Sequence, residues 1–333
     1  MNHISIDFTS FTQIIQNNLQ KMLGENYTVF SHTVKKNNGV ELTGIVAKRT
    51  GCSASPTIYI NRFFKENLTE EEVQKVTVAL YDEFQAAEFE EEIDLSNFVE
   101  FEKAKEKLAF KLIHAEKNRE LLKSVPYKRF YNLAIVFYYT VQEAPFFGQA
   151  IIMVHNSHME KWKTNENELF KIAFENTPLL FPSEINSMEE VMREIISESL
   201  TADIKRAKYQ KKENESLLDE KWLDDLVSQM NENTGKSKIP MYVLTNKKKL
   251  YGAACMLYPG VLKKFAEKED QDLYILPSSI HEVILIPASE ASNQESLLDI
   301  VTDINRTQVP EDEVLADAVY YYIKSRDKVV LLS

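Results

Sequence analysis

The chain has 333 residues, of which 44% are hydrophobic and 27% charged, and its formal net charge at pH 7 is -12. These proportions are those of ordinary globular proteins and the length suffices for about two domains, so neither a disordered nor a fibrous chain is favoured. A negative chain is repelled by phosphate backbones and anionic lipid surfaces. We therefore expect neither nucleic acid nor membrane as a partner.

Three further features bear on the cellular compartment. The stretch from Met1 to Asp7 lacks the basic and apolar segments of a secretory signal. No stretch approaches the roughly 18 uninterrupted apolar residues of a membrane-spanning helix. Cys52 and Cys255 are far apart in the sequence, which favours free thiols in a reducing compartment. The sequence thus predicts a cytoplasmic protein.

The N-terminal region begins with a predicted helix followed by three strands. Asp7 is a suitable cap for an amphipathic helix that ends at Gly24. The turn sequence Asn37-Asn38-Gly39 separates two strand-like runs, and Asn-Gly supplies the positive φ angles of a tight hairpin. Residues 56–60 predict a third strand.

A second helix closes this lobe. Thr69 and Glu72 form a capping box ahead of an apolar stripe at helical spacing. The acidic run from Glu88 to Asp94 then predicts a connector, with cation binding as the alternative. We place a domain boundary there, with an α-β-β-β-α lobe at 1–95 and a larger mixed lobe at 96–333.

The larger lobe opens with three predicted strands, at 108–112, 133–141 and 150–154. The second is apolar throughout and is expected to be central in its sheet. A helical pattern around Leu169 follows, and we expect Pro178 and Pro182 to break it.

A helical insertion is predicted at about 187–232. Ser187 and Glu190 form a capping box at its start. Apolar residues nearly vanish between Thr201 and Ser216, which indicates either an exposed helical extension or a flexible linker.

The stretch from Asp272 to Pro287 reads as strand, turn and strand, and we take this hairpin as the centre of the larger lobe. Amphipathic stretches beginning at Val261 and Leu297 are the helices expected to cover it. A last hairpin is predicted over 318–332. Short turns between successive strands require antiparallel neighbours, so the predicted class is α+β with mainly antiparallel sheets.

Two apparent motifs fail on inspection. Thr234-Gly235-Lys236-Ser237 resembles the end of a phosphate-binding loop, but Met230 occupies the place of the required first glycine. His281-Glu282 begins like a zinc-protease motif, but Leu285 stands where the second histidine belongs. No cofactor or metal motif is complete.

Four residues remain as candidates for chemistry. His155 and His158 lie where a predicted strand passes into a helix, a position that suits either a metal site formed by both histidines or a general base at His158. The alternative is local: a helix cap and one imidazole bonded to a nearby carbonyl. Ser279 and His281 repeat this chemistry in the central hairpin, although their spacing along a strand rarely brings a base to a nucleophile.

Several segments resemble an uncharacterised protein family of gut clostridia and other Firmicutes, and the similarity extends over nearly the whole chain. The similar segments are Asn37–Gly44, Ile152–Trp162, Tyr242–Asn246, Gly252–Gly260 and Leu276–Pro287. Residues 162–176 and 241–306 are more distantly similar to the uncharacterised YtpQ-type proteins. The resemblance implies a bacterial cytosolic protein with a mixed α+β fold, and it supplies no catalytic residue.

Two functions are compatible with the sequence. The first is a non-catalytic protein-interaction or adaptor protein that binds another protein or itself, supported by the 15 tyrosines and 18 phenylalanines, which are favoured at interfaces. The second is a hydrolase or metal-dependent enzyme whose site joins His155 and His158 to His281. Whether the protein is an enzyme is left open by the sequence.

Overall fold

A computed structural model describes residues 6–52, 55–86, 96–141, 151–197, 239–291 and 294–332. The chain divides into two compact units, each described by itself below. Unit 1 comprises residues 1–109, 115–128 and 136–176, and unit 2 comprises residues 110–114, 129–135 and 177–333. The run from Glu88 to Asp94 lies outside the described residues, so the domain boundary placed there stays a prediction.

Unit 1 begins with the five predicted elements in the predicted order. They are α1 (Phe8–Leu23), β1 (Tyr27–Lys35), β2 (Glu41–Arg49), β3 (Thr57–Tyr59) and α2 (Glu70–Ala86). The strands form one antiparallel sheet in the order β1-β2-β3. Both helices bury apolar residues against it, and the shared core contains Phe11, Ile15, Leu19, Ile45, Ile58 and Leu80.

Local chemistry explains where these elements begin and end. The Asp7 carboxylate accepts a hydrogen bond of 2.7 Å from the N–H of Ser10 at the start of α1. Asn38 and Gly39 adopt φ angles of 60° and 74°, as the tight turn between β1 and β2 requires. The main-chain N–H of Asn38 also donates to the side chain of Asn118 at 2.9 Å.

A second sheet is formed by residues from the middle of the sequence. The elements of this region are α3 (Ser96–Val99), α4 (Phe101–Ala104), β4 (Leu108–His114), β5 (Tyr127–Phe130), β6 (Leu133–Thr140), β7 (Ile151–Met153), α5 (Asn156–Trp162) and α6 (Glu166–Leu180). The strand order is β4-β6-β5 with β7 paired to β6. Every residue of β6 is buried, which confirms its predicted central place.

Pro178 does not break α6, so that prediction is wrong. The proline lies inside the helix, which ends two residues later at Leu180. Thr177 anchors this last turn: its side chain accepts the N–H of Phe110 at 3.1 Å, and its carbonyl accepts the N–H of Phe181 at 2.9 Å. A proline at this position removes one intrahelical bond and crowds the carbonyl four residues earlier, and the buried bonds of Thr177 hold the turn in place against that cost.

Unit 2 is built on a six-stranded antiparallel sheet in the order β13-β12-β10-β11-β9-β8. Its strands are β8 (Ser183–Ser187), β9 (Tyr242–Asn246), β10 (Leu273–Leu276), β11 (Val283–Pro287), β12 (Tyr320–Ile323) and β13 (Lys328–Leu331). Its helices are α7 (188–197), α8 (Val261–Glu269) and α9 (Gln294–Thr307). The sheets and their hairpin connections confirm the α+β class.

The predicted hairpin occupies the middle of this sheet as β10 and β11. Ile284 packs with Leu297 and Val301 of α9 on one face. Leu285 projects to the other face beside Tyr242, whose ring lies 4.9 Å from that of Phe265 in α8. Helices therefore cover both faces, as the uninterrupted apolar run predicted.

The capping box ahead of α7 is confirmed. Glu190 accepts hydrogen bonds from the N–H and the hydroxyl of Ser187 at 2.6 and 2.9 Å. Residues 198–238 lie outside the described part of the chain, so the state of 201–216 and the rest of the helical insertion stay predictions. None of the helices in the described ranges is long and apolar enough to cross a membrane.

Candidate functional site

The His155–His158 turn connects β7 to α5 in unit 1. His155 is the cap residue of α5, with an extended backbone, and its N–H donates to Nδ1 of His158 at 3.1 Å. Because Nδ1 accepts this bond, a neutral His158 carries its proton on Nε2. One imidazole was expected to bond a nearby carbonyl. The local partner of the His158 imidazole is instead a main-chain N–H.

Aromatic rings surround His158. The ring centroids of Phe98 and Trp162 lie 5.0 and 5.9 Å from that of His158, and the His155 ring lies at 5.7 Å. Burial lowers the pKa of His158, and the positive charges of His155 and Lys161 lower it further. The imidazole is thus neutral at pH 7 and presents one donor, Nε2–H.

Ser279 and His281 lie in the turn between β10 and β11 in unit 2. Ser279 is 4% exposed, and its hydroxyl oxygen accepts the main-chain N–H of His281 at 3.0 Å. Ser279 is thus linked to the main chain of His281.

The imidazole of His281 faces away from that serine bond. Its Nδ1 accepts the main-chain N–H of Tyr251 at 3.2 Å, and the two rings stack with centroids 5.6 Å apart. Its Nε2 lies 4.0 Å from the carboxylate of Glu313. In the neutral form the proton on Nε2 is directed toward a carboxylate, which orients the ring.

Tyr251 connects this histidine to a buried lysine. The ammonium of Lys111 lies 4.0 Å from the centroid of the Tyr251 ring, and Lys111 is only 7% exposed. Burial, and then the charge of Glu313, raise the pKa of Tyr251 to about 12. The result is a column of ammonium, phenol, imidazole and carboxylate, which we call the Tyr251 column.

Glu282 adjoins the Tyr251 column because it directly follows His281 in the sequence. Its pKa is raised chiefly by burial, and Glu313 adds to the increase, whereas His281 and the Ser279 hydroxyl oppose it. Sequence reasoning missed Lys111, Tyr251 and Glu313, which come from three distant segments. The one signal of this close packing in the local sequence is the glycine at 252, because a Cβ there would collide with Thr245 and with the main chain of His281.

The structure brings His155 together with His158, and Ser279 together with His281. The first pair belongs to unit 1 and the second to unit 2, so a site that joins all four stays a prediction. Among the described residues, no group of three or more His, Cys, Asp or Glu side chains is arranged to hold a metal ion.

A groove in unit 2 is the second feature of functional interest. It has a volume of about 630 Å³ and lies between the edge strand β8 and helix α8. Ile185, Tyr242, Val261 and Phe265 supply its apolar surface, and Lys264 stands at its rim. We call it the β8 groove.

The backbone of β8 presents hydrogen-bonding groups to this side. Lys247 donates to the carbonyl of Pro182 at 3.0 Å and Met188 donates to that of Met241 at 2.9 Å, which fixes the alternation along the β8–β9 ladder. Residues 184 and 186 therefore bond β9, and the N–H and C=O groups of Ser183 and Ile185 point outward. Within the described ranges, β9 is the only strand that pairs with β8.

Comparison with known proteins places the chain in a family. Residues 8–324 match DUF5688, a family of unknown function, and this match spans most of the 333 residues. The chain belongs to the DUF5688 family. That membership agrees with the resemblance to a family without an established activity, and it assigns no role to the Tyr251 column or the β8 groove. No curated protein and no solved structure matches this DUF5688 chain.

Proposed function

We propose that this protein is a non-catalytic interaction protein that binds an extended segment of another polypeptide along β8. The observation that carries the proposal is the edge of β8 that no further strand of the described ranges covers, where Ser183 and Ile185 direct main-chain donors and acceptors outward beside a groove of mixed apolar and charged lining. Strand addition uses such an edge for affinity, and side-chain pockets next to it for specificity.

The side chains of the groove indicate the chemistry of the partner. Ile185 lies in register with Leu244, on the same face as Tyr242 and the helix α8. A partner residue opposite Ile185 would project toward Phe265, so an apolar side chain fits there. Positions two residues away project to the same face, toward the rim of α8.

Lys264 selects the charge of that neighbouring position. It forms no ion pair within the described part of the chain, whereas Lys268 lies close enough to Glu190 to lower its pKa and 3.7 Å from Glu269. An acidic residue two positions from the apolar one would give Lys264 a counter-charge. The expected partner is therefore an extended segment with an apolar-x-acidic pattern.

A peptide selection tests this proposal. A random peptide library displayed on phage is selected on the immobilised full chain, and we expect enrichment of the apolar-x-acidic pattern. Ile185→Pro removes an outward N–H without removing a bond to β9, since proline is tolerated at such edge positions. We expect it to weaken an enriched peptide at least about tenfold, the equivalent of about 1.4 kcal/mol.

Charge reversal provides the matched comparison. Lys264→Glu should weaken the same peptide by about tenfold because an acidic side chain would then face a carboxylate. Lys263→Glu makes the same change one residue earlier on the exposed side of α8, outside the β8 groove, and should leave binding unchanged. Peptides that bind all three variants equally would disprove the proposal. A dimer in sedimentation that Ile185→Pro dissociates would instead identify a second copy as the occupant.

The alternative function, a hydrolase or metal-dependent enzyme, draws on His155, His158 and His281. In both His158 and His281 the Nδ1 atom accepts a main-chain N–H, so in the neutral ring Nε2 is protonated. A general base needs an unprotonated nitrogen, which weakens this alternative. Elemental analysis of untagged protein tests it: stoichiometric zinc lost on His155→Ala substitution would favour the enzyme.

A further inference from the structure

A second groove lies at the N-terminal end of α8, against a different side of the helix from the β8 groove, and has a different character. Its volume is about 530 Å³, within the range of small-molecule sites. Three of its lining side chains are basic, Arg129, Lys263 and Lys328, and one is acidic, Asp327. In a chain of net charge -12 this is a local reversal of sign. We call it the basic groove.

The carboxylate of Asp327 is already engaged. Its Oδ1 accepts the hydroxyl of Tyr322 at 2.6 Å. Neither Lys263 nor Lys328 forms an ion pair within the described ranges of the chain. Arg129 is held in place, because its Nε donates to the carbonyl of Tyr131 at 2.7 Å. The basic groove therefore has an excess of positive charge that an anion would neutralise.

The backbone at the start of α8 adds to this field. Gly260 is the cap residue with φ of 74°, no side chain caps the helix, and its first turn holds no acidic residue. Gly260, Leu262 and Lys263 all line the groove. The N–H groups of a helix start favour negative charge, so they support the three basic side chains.

Aromatic rings form another wall of the groove. Phe130 and Tyr131 both line it, with ring centroids 5.0 Å apart. Tyr131 is 40% exposed, and its hydroxyl donates to the carbonyl of Val329 at 3.1 Å, which fixes the direction of the ring. An exposed, fixed ring beside cations suits a planar group attached to an anion.

We propose that the basic groove binds a small organic phosphate that carries a planar ring. The phosphate would lie between Lys263, Lys328 and the start of α8, where the shape and charge of a phosphate group match several N–H donors. The ring would lie against Tyr131. This site is separate from the β8 groove, although α8 lines both.

Adenosine monophosphate is the probe for the test, titrated into the full chain in a calorimeter at physiological ionic strength, where salt screens charges outside the groove. Lys263→Glu should weaken binding at least about tenfold because it reverses one of three charges. Lys264→Glu, the adjacent substitution on the β8 groove, should change the affinity less than about twofold. The two proposals are therefore tested by the same pair of variants with opposite outcomes.

Inorganic phosphate separates the contribution of the planar ring. We expect it to bind more weakly than adenosine monophosphate, and Tyr131→Leu to weaken the nucleotide while leaving phosphate unchanged. If no binding is detected at about 10 mM nucleotide, the affinity is weaker than any of functional use, and the proposal is overturned. Equal loss in Lys263→Glu and Lys264→Glu would overturn it as well, and so would a nucleotide affinity that Tyr131→Leu does not change.

Discussion

His281 accepts, through Nδ1, a hydrogen bond of 3.2 Å from the main-chain N–H of Tyr251, and the two rings stack at an interplanar angle of 14°. Tyr251 has a φ angle of 53°, in the left-handed region that residues other than glycine rarely adopt. The histidine thus satisfies a partly buried donor at a position where the backbone is strained. The side chain of His281, which lies 30 residues later in the sequence, thus decides the backbone conformation at Tyr251.

Substitution of His281 separates the two parts of this interaction. Asparagine can place an acceptor near the position of Nδ1 but offers no ring. We expect His281→Ala to lower the free energy of unfolding by about 1–3 kcal/mol, since the Tyr251 N–H loses its acceptor, and His281→Asn to lower it by less than about 1 kcal/mol. Urea unfolding measures both, and equal losses would show that ring stacking is the dominant contribution.

Gly252 is expected to be intolerant of any side chain. A Cβ there would approach the hydroxyl of Thr245 and the carbonyl of His281 more closely than carbon atoms do in proteins. The Thr245 hydroxyl donates to that carbonyl at 2.8 Å, so neither atom can move without loss of a bond. Gly252→Ala should therefore reduce the free energy of unfolding by about 1–3 kcal/mol.

Gly24 provides the control for that substitution. It has a φ of 78° and no atom within 4 Å of the position of a Cβ, so alanine there adds backbone strain without a collision. We expect Gly24→Ala to cost about 1 kcal/mol. A Gly252→Ala variant as stable as the wild type would mean that the main chain of His281 lies farther away than described.

Local patterns predicted the elements whose own residues carry the signal. Thr69 with Glu72 and Ser187 with Glu190 mark helix starts, and both capping boxes are present. Strand β8 was missed because Ile185 is its only apolar residue, and the strand exists through pairing with β9. A tertiary contact here overrides a weak local preference.

The candidate sites show the same contrast between local sequence signals and tertiary contacts. His155 and His158 are three residues apart, so their proximity was predictable from sequence spacing. The Tyr251 column joins Lys111, Tyr251, His281 and Glu313, which only the folded chain brings together. Lys111 stands between the apolar residues Phe110 and Leu112, an alternation that is typical of a strand with one solvent-facing side, yet β4 is buried along nearly all of its length. A side chain that faces a ring has no signature in the local sequence.

Glu282 and Glu190 should give pH dependences of opposite sign. Burial raises the pKa of Glu282 above its ordinary value of 4.5. Between pH 4.5 and the folded pKa, the unfolded state therefore binds fewer protons than the folded state. The free energy of unfolding falls as pH rises through this window. Glu282→Gln removes this penalty, and we expect the variant to gain stability relative to the wild type as pH rises above 4.5. Unfolding free energies measured from pH 3 to pH 7 check this.

Glu190 is the matched control within unit 2. Hydrogen bonds from Ser187 lower its pKa, so its contribution to stability is present above the ordinary value of 4.5 and is lost as pH falls through the folded value. Glu190→Gln should therefore lose stability relative to the wild type as pH rises toward 4.5, the opposite of Glu282→Gln. Two variants with the same sign of pH dependence would contradict the assigned environments.

The two cysteines are expected to differ in reactivity with a thiol reagent. Cys255 is 0% exposed, and burial raises the pKa of its thiol to about 12, although a hydrogen bond with Tyr258 opposes the increase. Because the thiolate is the reacting species, Cys255 should stay unreactive in the native protein from pH 7 to pH 9. Cys52 is partly exposed. Native protein should thus react through Cys52 alone, and Cys52→Ser should abolish the reaction until a denaturant exposes Cys255. Rapid reaction of native Cys52→Ser would show that the 3-10 helix Gly252–Leu257 opens, and with it the loop that holds Tyr251 against His281.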